Sequence, residues 1–310
     1  MTGKARWLAA RLGNAVVVVF GVATASFLAV HLAPGDPVRT LLGPQALTGT
    51  VEQVRHELGY DQPLLTQYLR FLGSLLHGDL GTSYQLQEPV SRLILSQIGS
   101  TAQLAVAGFV LAMAVAVGLA IATSGRRPFW RRVSSLFELI ATASPTFWTG
   151  IVLLTIFSFH LNLFPAAGAG LRGLVLPAVT LALSLVGVFT QMLRQGMEQA
   201  LDQPFTLSAR ARGVGETSVR ATHALRHALI PVVTLSGWVV GNLLGGAVVV
   251  ETLFTRQGIG QIMAAAIASR DLPVVTGVTI VSAVIFIVVN LVVDVVYHLV
   301  DPRLRTEGRA

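Results

Sequence analysis

The chain of 310 residues contains no cysteine, so it can form neither a disulfide nor a thiolate metal site, and its redox compartment cannot be read from it. Lysine occurs once, at Lys4. A phosphate loop of the form G-x-x-x-x-G-K-[ST] needs a lysine behind its glycines, and no such pattern surrounds Lys4. Histidine, aspartate and glutamate nowhere fall at metal-ligand spacing, and no serine, histidine and aspartate share a nucleophile's context, so the sequence reads as a non-enzyme with no cofactor of its own. Charged residues are also scarce, at 12% of the chain, about half the share in a soluble domain.

What remains is apolar. Hydrophobic residues make up 53% of the chain and mean hydropathy is +0.69, the composition of a polytopic membrane protein. The net charge of +7 is spread over several short loops, which marks membrane topology and not a nucleic-acid groove. The fold class expected is an all-α membrane protein with six spans, at about 12–32, 100–123, 135–160, 175–195, 230–251 and 274–300. Lys4, Arg6 and Arg11 before the first run, with Ala23-Thr24-Ala25 inside it, resemble a secretory leader. The run continues to Leu32, however, long enough to cross about 30 Å of hydrocarbon, and is read as an uncleaved first span. Of the basic residues, 15 fall in one set of loops (N-terminus, Arg126 to Arg132, Arg194 to Arg226, and the tail) and seven in the other. This places both termini in the cytoplasm.

The chain thus divides into 1–32, the cytoplasmic N-terminus and first span; 33–99, an external region; and 100–310, a core holding the other five spans. The external region carries turn signals at Pro34-Gly35-Asp36-Pro37, Tyr60-Asp61-Gln62-Pro63 and His77-Gly78-Asp79-Leu80-Gly81. Between them lie two short helices. The second, from Leu64 to Leu76, repeats Leu65, Leu69, Leu72 and Leu76 on one face. Pro145 is expected to kink the third span, and Pro177 to sit in the first turn of the fourth.

One polar stretch interrupts the core, from Asp202 to Leu229. A helix is expected over Thr206 to Arg212, broken by Gly213-Val214-Gly215, with Glu216 or Thr217 capping a second short helix to about His227. Gly213 and Gly215 allow positive φ or close backbone approach. A loop that only reversed the chain would need far fewer residues. Two uses fit a basic helix–break–helix on a membrane face: resting on anionic lipid through Arg210, Arg212, Arg220 and Arg226, or docking another protein.

Ser208-Ala209-Arg210-Ala211-Arg212-Gly213 and His223-Ala224-Leu225-Arg226-His227-Ala228-Leu229-Ile230-Pro231 resemble the cytoplasmic coupling loop of bacterial ABC-importer permeases, in the dipeptide/oligopeptide/nickel subfamily. Leu58-Gly59-Tyr60-Asp61-Gln62-Pro63-Leu64 and His77-Gly78-Asp79-Leu80-Gly81-Thr82-Ser83 are similar to the outer region of its first (B-type) dipeptide permease subunit. Val250-Glu251-Thr252-Leu253-Phe254, Arg270-Asp271 and Asp301-Pro302-Arg303 resemble its last third. The chain departs from the pattern at Gln257, where the family has proline, and at His227, where asparagine is frequent. The resemblance implies the type I importer fold and a bacterial plasma-membrane location. It implies import of dipeptides or short oligopeptides, or of glutathione, haem or nickel, by alternating access. It further implies a second homologous permease subunit, two ATPase subunits (or one two-domain ATPase) that bind ATP and magnesium, and an external peptide-binding protein. By the same resemblance Ser208, Ala209, Arg210, Ala211, Arg212, Gly213, Gly215, His223, Leu225 and Arg226 couple the permease to the ATPase.

Acids within spans are costly and are functional candidates by default. Glu138, Glu251 and Asp294 qualify, each with a structural alternative: Glu138 and Glu251 lie at or near the ends of spans, Asp294 could pair with an arginine or cap a neighbouring helix, and His31 reads as interfacial. Pro145, Glu251 and Asp294 are the candidates for the pathway or gate. An ion-coupled secondary transporter, the competing class, would show repeated halves with interrupted helices and central acids. The sequence shows no such repeat.

Overall fold

A computed structural model describes residues 3–32, 35–42, 45–125, 128–168 and 170–300. Contacts divide the chain into two units, residues 1–99 with 258–287 and residues 100–257 with 288–310. Two long helices, α5 and α14, contribute to both.

The first unit begins with α1 (Gly3–Leu32), followed by α2 (Pro37–Leu42), α3 (Thr48–Leu58) and α4 (Leu64–Leu76). Gly59 ends α3 in the left-handed conformation, φ 71°, and its N–H caps Arg55 and His56 carbonyls, the geometry that favours glycine there. Helix α4 turns its aromatic side to α1: the Tyr68 and Thr24 hydroxyls share a 2.6 Å hydrogen bond, and Phe71 stacks near Phe27. Its leucine stripe faces the other way, with Leu65, Leu69 and Leu76 all exposed. A helix that turns an apolar face outward is suited to lie on lipid.

The rest of the first unit is the start of α5 (Val90–Thr123), α13 (Ile259–Ser269) and the start of α14 (Leu272–Val300). Val90, Ile94, Ile259, Ala266, Val274 and Val278 form its core. At the α13–α14 junction the buried Asp271 carboxylate accepts the Ser83 hydroxyl at 2.5 Å and the Tyr84 and Gln85 N–H groups at 3.1 and 3.2 Å. This single acid fixes the turn before α5. Burial, with Tyr60 and Asp271 adding to it, pushes the Tyr84 phenol above its ordinary range, so it stays neutral. Asp271→Ala removes an acceptor from three donors and is expected to cost about 1–3 kcal/mol, read as a lower melting temperature with faster proteolysis at 82–89. Unchanged protection of that turn would refute the role.

The second unit is organised around α8 (Gly170–Leu201), the most buried of the long apolar helices. Against it pack α6 (Pro128–Ala143), α7 (Thr146–Leu153) with a π-helical continuation Leu154–His160, α11 (Leu225–Thr234) and α12 (Ser236–Leu253). Small residues let the backbones approach closely. A Cβ on Gly187 would lie 2.6 Å from the Glu138 carbonyl oxygen, and one on Gly196 would lie 2.9 Å from Ala228 Cα.

Among the described residues, four helices are long and apolar enough to cross a membrane: Arg11–Leu32, Val90–Thr123, Gly170–Leu201 and Leu272–Val293. The other two expected spans are built differently. The third is not one kinked helix but α6 and α7, meeting at 107°. Pro145 is the extended N-cap of α7; proline keeps the residue before it out of helical conformation, so α6 stops at Ala143. The fifth does not start near Pro231, which lies inside α11, and it is divided at Leu235. Among the described residues it contributes the shorter apolar helix Gly241–Leu253. Pro177 also moves: α8 begins at Gly170, so this proline is inside the helix and not in its first turn.

Candidate coupling site

After α8 ends at Leu201, the chain turns through Asp202 and Gln203 into α9 (Pro204–Ala211). Pro204 opens the helix, where its missing N–H costs nothing. The buried Thr206 hydroxyl lies 2.8 Å from the Leu201 carbonyl and 2.7 Å from that of Gln203, tying α9 back to the end of α8. Ala209 is fully buried in a cluster with Met197, Ala200, Val219, Ala224 and Ala228. Only a small side chain lets α9 sit this close.

The helix then closes in a Schellman motif. Gly213 N–H bonds Arg210 O at 2.9 Å, Val214 N–H bonds Ala209 O at 3.2 Å, and Gly213 has φ +83°. This is the position that demands glycine. Gly215 does not share the requirement: its φ is −63° and nothing lies within 4 Å of where its Cβ would be. The elbow therefore depends on one glycine, not two.

Gly215 is the N-cap of the following helix, with no side-chain cap, so neither Glu216 nor Thr217 has the capping role expected. Glu216 instead accepts Arg210 Nε at 2.7 Å across the elbow. That hydrogen bond holds the Glu216 carboxyl below its ordinary range. The contact is present at neutral pH and is lost only as pH falls through this lowered value. Nor is the second helix short. From α10 (Glu216–Ser218) it passes through a π-helical stretch, Val219–Ala224, into α11 and ends at Thr234.

The structure separates the ten sequence-derived residues by role. Ala209 is buried and Leu225 packs partly into the core, so both seat the element. Ser208, Ala211, Arg212, Gly213, Gly215 and Arg226 are exposed, and Arg210 and His223 are half-buried. Sequence reasoning missed the most exposed apolar side chain here, Leu207, at 57%, and its neighbour Phe205, whose ring lies 4.7 Å from His227. A leucine one residue after buried Thr206 on a short helix was the available signal.

The pathway candidates are not brought together in one described site. Pro145 is an exposed cap. Glu251 is fully buried and accepts the Thr101 hydroxyl at 2.6 Å. The Asp294 side chain lies outside the described residues. Glu138, singled out with them as an acid near the end of a span, is fully buried, and both its oxygens accept from Arg194, at 2.5 and 2.6 Å.

Comparison with known proteins agrees with this architecture. Residues 114–306 match the family model "Binding-protein-dependent transport system inner membrane component", and residues 4–105 match the N-terminal model of such membrane components. A Brucella abortus protein provisionally named as a peptide transport system permease is 39% identical over 306 residues, 95% of this chain and 97% of that one. The glutathione transport system permease GsiC of Salmonella typhimurium is 36% identical over 297 residues, with the same coverage. The chain belongs to the family of inner membrane components of binding-protein-dependent transport systems.

Proposed function

We propose that this permease subunit carries dipeptides or short oligopeptides into the cell, driven by ATP hydrolysis on separate ATPase subunits, and that residues 202–229 receive the ATPase movement. A second homologous permease, an ATPase pair and an external peptide-binding protein complete the assembly. The observation that carries the coupling role is the construction of α9. It is fixed to α8 by Thr206 and Ala209 and closed by Gly213, yet it presents Leu207, Ser208, Ala211 and Arg212 outward. Lipid would account for the arginines. It would not account for a short helix locked at both ends, which is what transmits a push. Nucleotide binding can shift the permease between states only through contacts that differ between them, and this surface supplies such contacts.

The test is uptake and ATP hydrolysis in the reconstituted importer carrying Gly213→Val or Arg212→Glu. A Cβ at position 213 meets no atom within 4 Å, so valine strains the elbow only through its φ. Uptake per ATP hydrolysed is expected to fall, by about tenfold or more if the strained elbow costs about 1.4 kcal/mol or more of coupling, with the permease still folded and inserted. Normal uptake per ATP in both variants would remove the coupling role. The glutathione permeases among the relatives support a second solute, a γ-linked tripeptide with one ammonium and two free carboxylates. Competition between dipeptide and glutathione for uptake decides between them.

A further inference from the structure

The first unit holds a cavity of about 240 Å³ lined by α1, α4, the turn after α3, the segment before α5 and the start of α14. Its walls are aromatic, with Phe27, Tyr60, Phe71 and Tyr84 among them. The polar groups in those walls bond to one another. The His31 ring nitrogens lie 2.8 Å from the Phe27 carbonyl and 3.0 Å from Gln67 Oε1. The Gln67 amide donates to the Gln62 carbonyl at 2.8 Å, and the Tyr60 and Tyr84 hydroxyls meet at 2.8 Å.

Two charged lining groups keep capacity, and their charges are opposite. Arg70 uses Nη2 on Gln62 Oε1 at 2.8 Å and has five N–H donors in all. Asp79 uses Oδ1 on the Gly81 N–H at 2.9 Å; its Oδ2 takes no hydrogen bond among the described residues. Both side chains are on exposed residues, so neither charge is committed to a buried pair.

A cation and an anion on the rim of one aromatic cavity form the complement of a small zwitterion with an apolar body. We infer that this cavity is a peptide-binding site on the permease itself, with Arg70 taking the terminal carboxylate, Asp79 the terminal ammonium, and the aromatic walls the side chain. The volume admits a two-residue peptide and falls short of drug-sized pockets, which begin at about 300 Å³. The inference rests on the proposal that the importer carries peptides and adds a second point of recognition beside the external binding protein.

The experiment uses the purified permease–ATPase complex without the binding protein, titrated calorimetrically with alanyl-phenylalanine, its N-acetyl derivative and its C-terminal amide. The free dipeptide is expected to bind at least about tenfold more tightly than either blocked form, the effect of 1.4 kcal/mol. Arg70→Gln should abolish the preference for the free carboxylate and keep that for the free amine; Asp79→Asn should do the reverse. Arg70→Lys should restore part of the carboxylate preference, which a merely structural role for Arg70 would not give. Absence of dipeptide binding, or equal binding of all three ligands, overturns the site. Dipeptide uptake by the complete importer is measured in parallel. Uptake without end-dependent binding overturns this inference alone, whereas loss of both overturns the peptide reading as well.

Discussion

Arg194→Ala is expected to lower the stability of the folded chain by about 3–5 kcal/mol, the cost of leaving one member of a buried ion pair without the other. Arg194 on α8 holds both oxygens of Glu138 on α6, at 2.5 and 2.6 Å, and Ser134 adds a third hydrogen bond at 2.5 Å. Glu138 is fully buried and Arg194 is 8% exposed. Without the guanidinium, one serine hydroxyl must solvate a carboxylate that water does not reach. The prediction has a second half. Replacing both partners, as Glu138→Leu with Arg194→Met, removes the charge together with its partner and should recover most of the loss, because the net value of a buried pair is small. Thermal unfolding of the purified chain in lipid nanodiscs reads both. A single variant within about 1 kcal/mol of the parent would mean that water reaches this pair after all.

Gly187→Leu is expected to be damaging by overfilling the same helix contact. Gly187 lies two turns before Arg194 on α8 and faces the same helix. A Cβ there would sit 2.1 Å from the Thr142 hydroxyl and 2.6 Å from the Glu138 carbonyl oxygen. Neither can retreat freely, since the Thr142 hydroxyl donates to that carbonyl at 2.8 Å and the Glu138 side chain is held by Arg194. Overfilling a packed interior costs about 1–3 kcal/mol, and here the obstacle includes backbone, so the upper end or beyond is expected. Gly187→Ala should show a smaller loss in the same direction. Gly118→Ala is the control: it is also a helical glycine, but nothing lies within 4 Å of the added carbon, so it should be neutral or gain a few tenths of a kcal/mol. Equal effects at 187 and 118 would refute close packing of α6 on α8.

Much of the fold was legible because membrane chemistry writes in long runs. Apolar stretches located α1, the membrane part of α5, α8 and α14, and the polar interruption located the helix–break–helix that begins with α9. Gly213 was legible because a break after a good helix-forming segment has few solutions. The bend at Pro145 was half legible: proline marks where a helix fails, but the angle follows from what the next segment packs against, and α7 packs on α8 and α12. The two acid clamps were illegible. Glu138 and Arg194 are 56 residues apart, and Ser83 and Asp271 are 188 apart; no local spacing encodes either meeting. The leucine stripe of α4 was found, but periodicity does not say whether an apolar face turns to protein or to lipid.

The helix that begins at Glu216 runs without interruption to Thr234, a strut of roughly 25–30 Å at about 1.5 Å per residue. Under the proposed coupling, force applied beside the elbow would be carried along this rod to Leu235, where it ends and α12 begins. Near its first turn this rod carries a π-helical stretch, Val219–Ala224, wound one residue wider than the α-helix on either side.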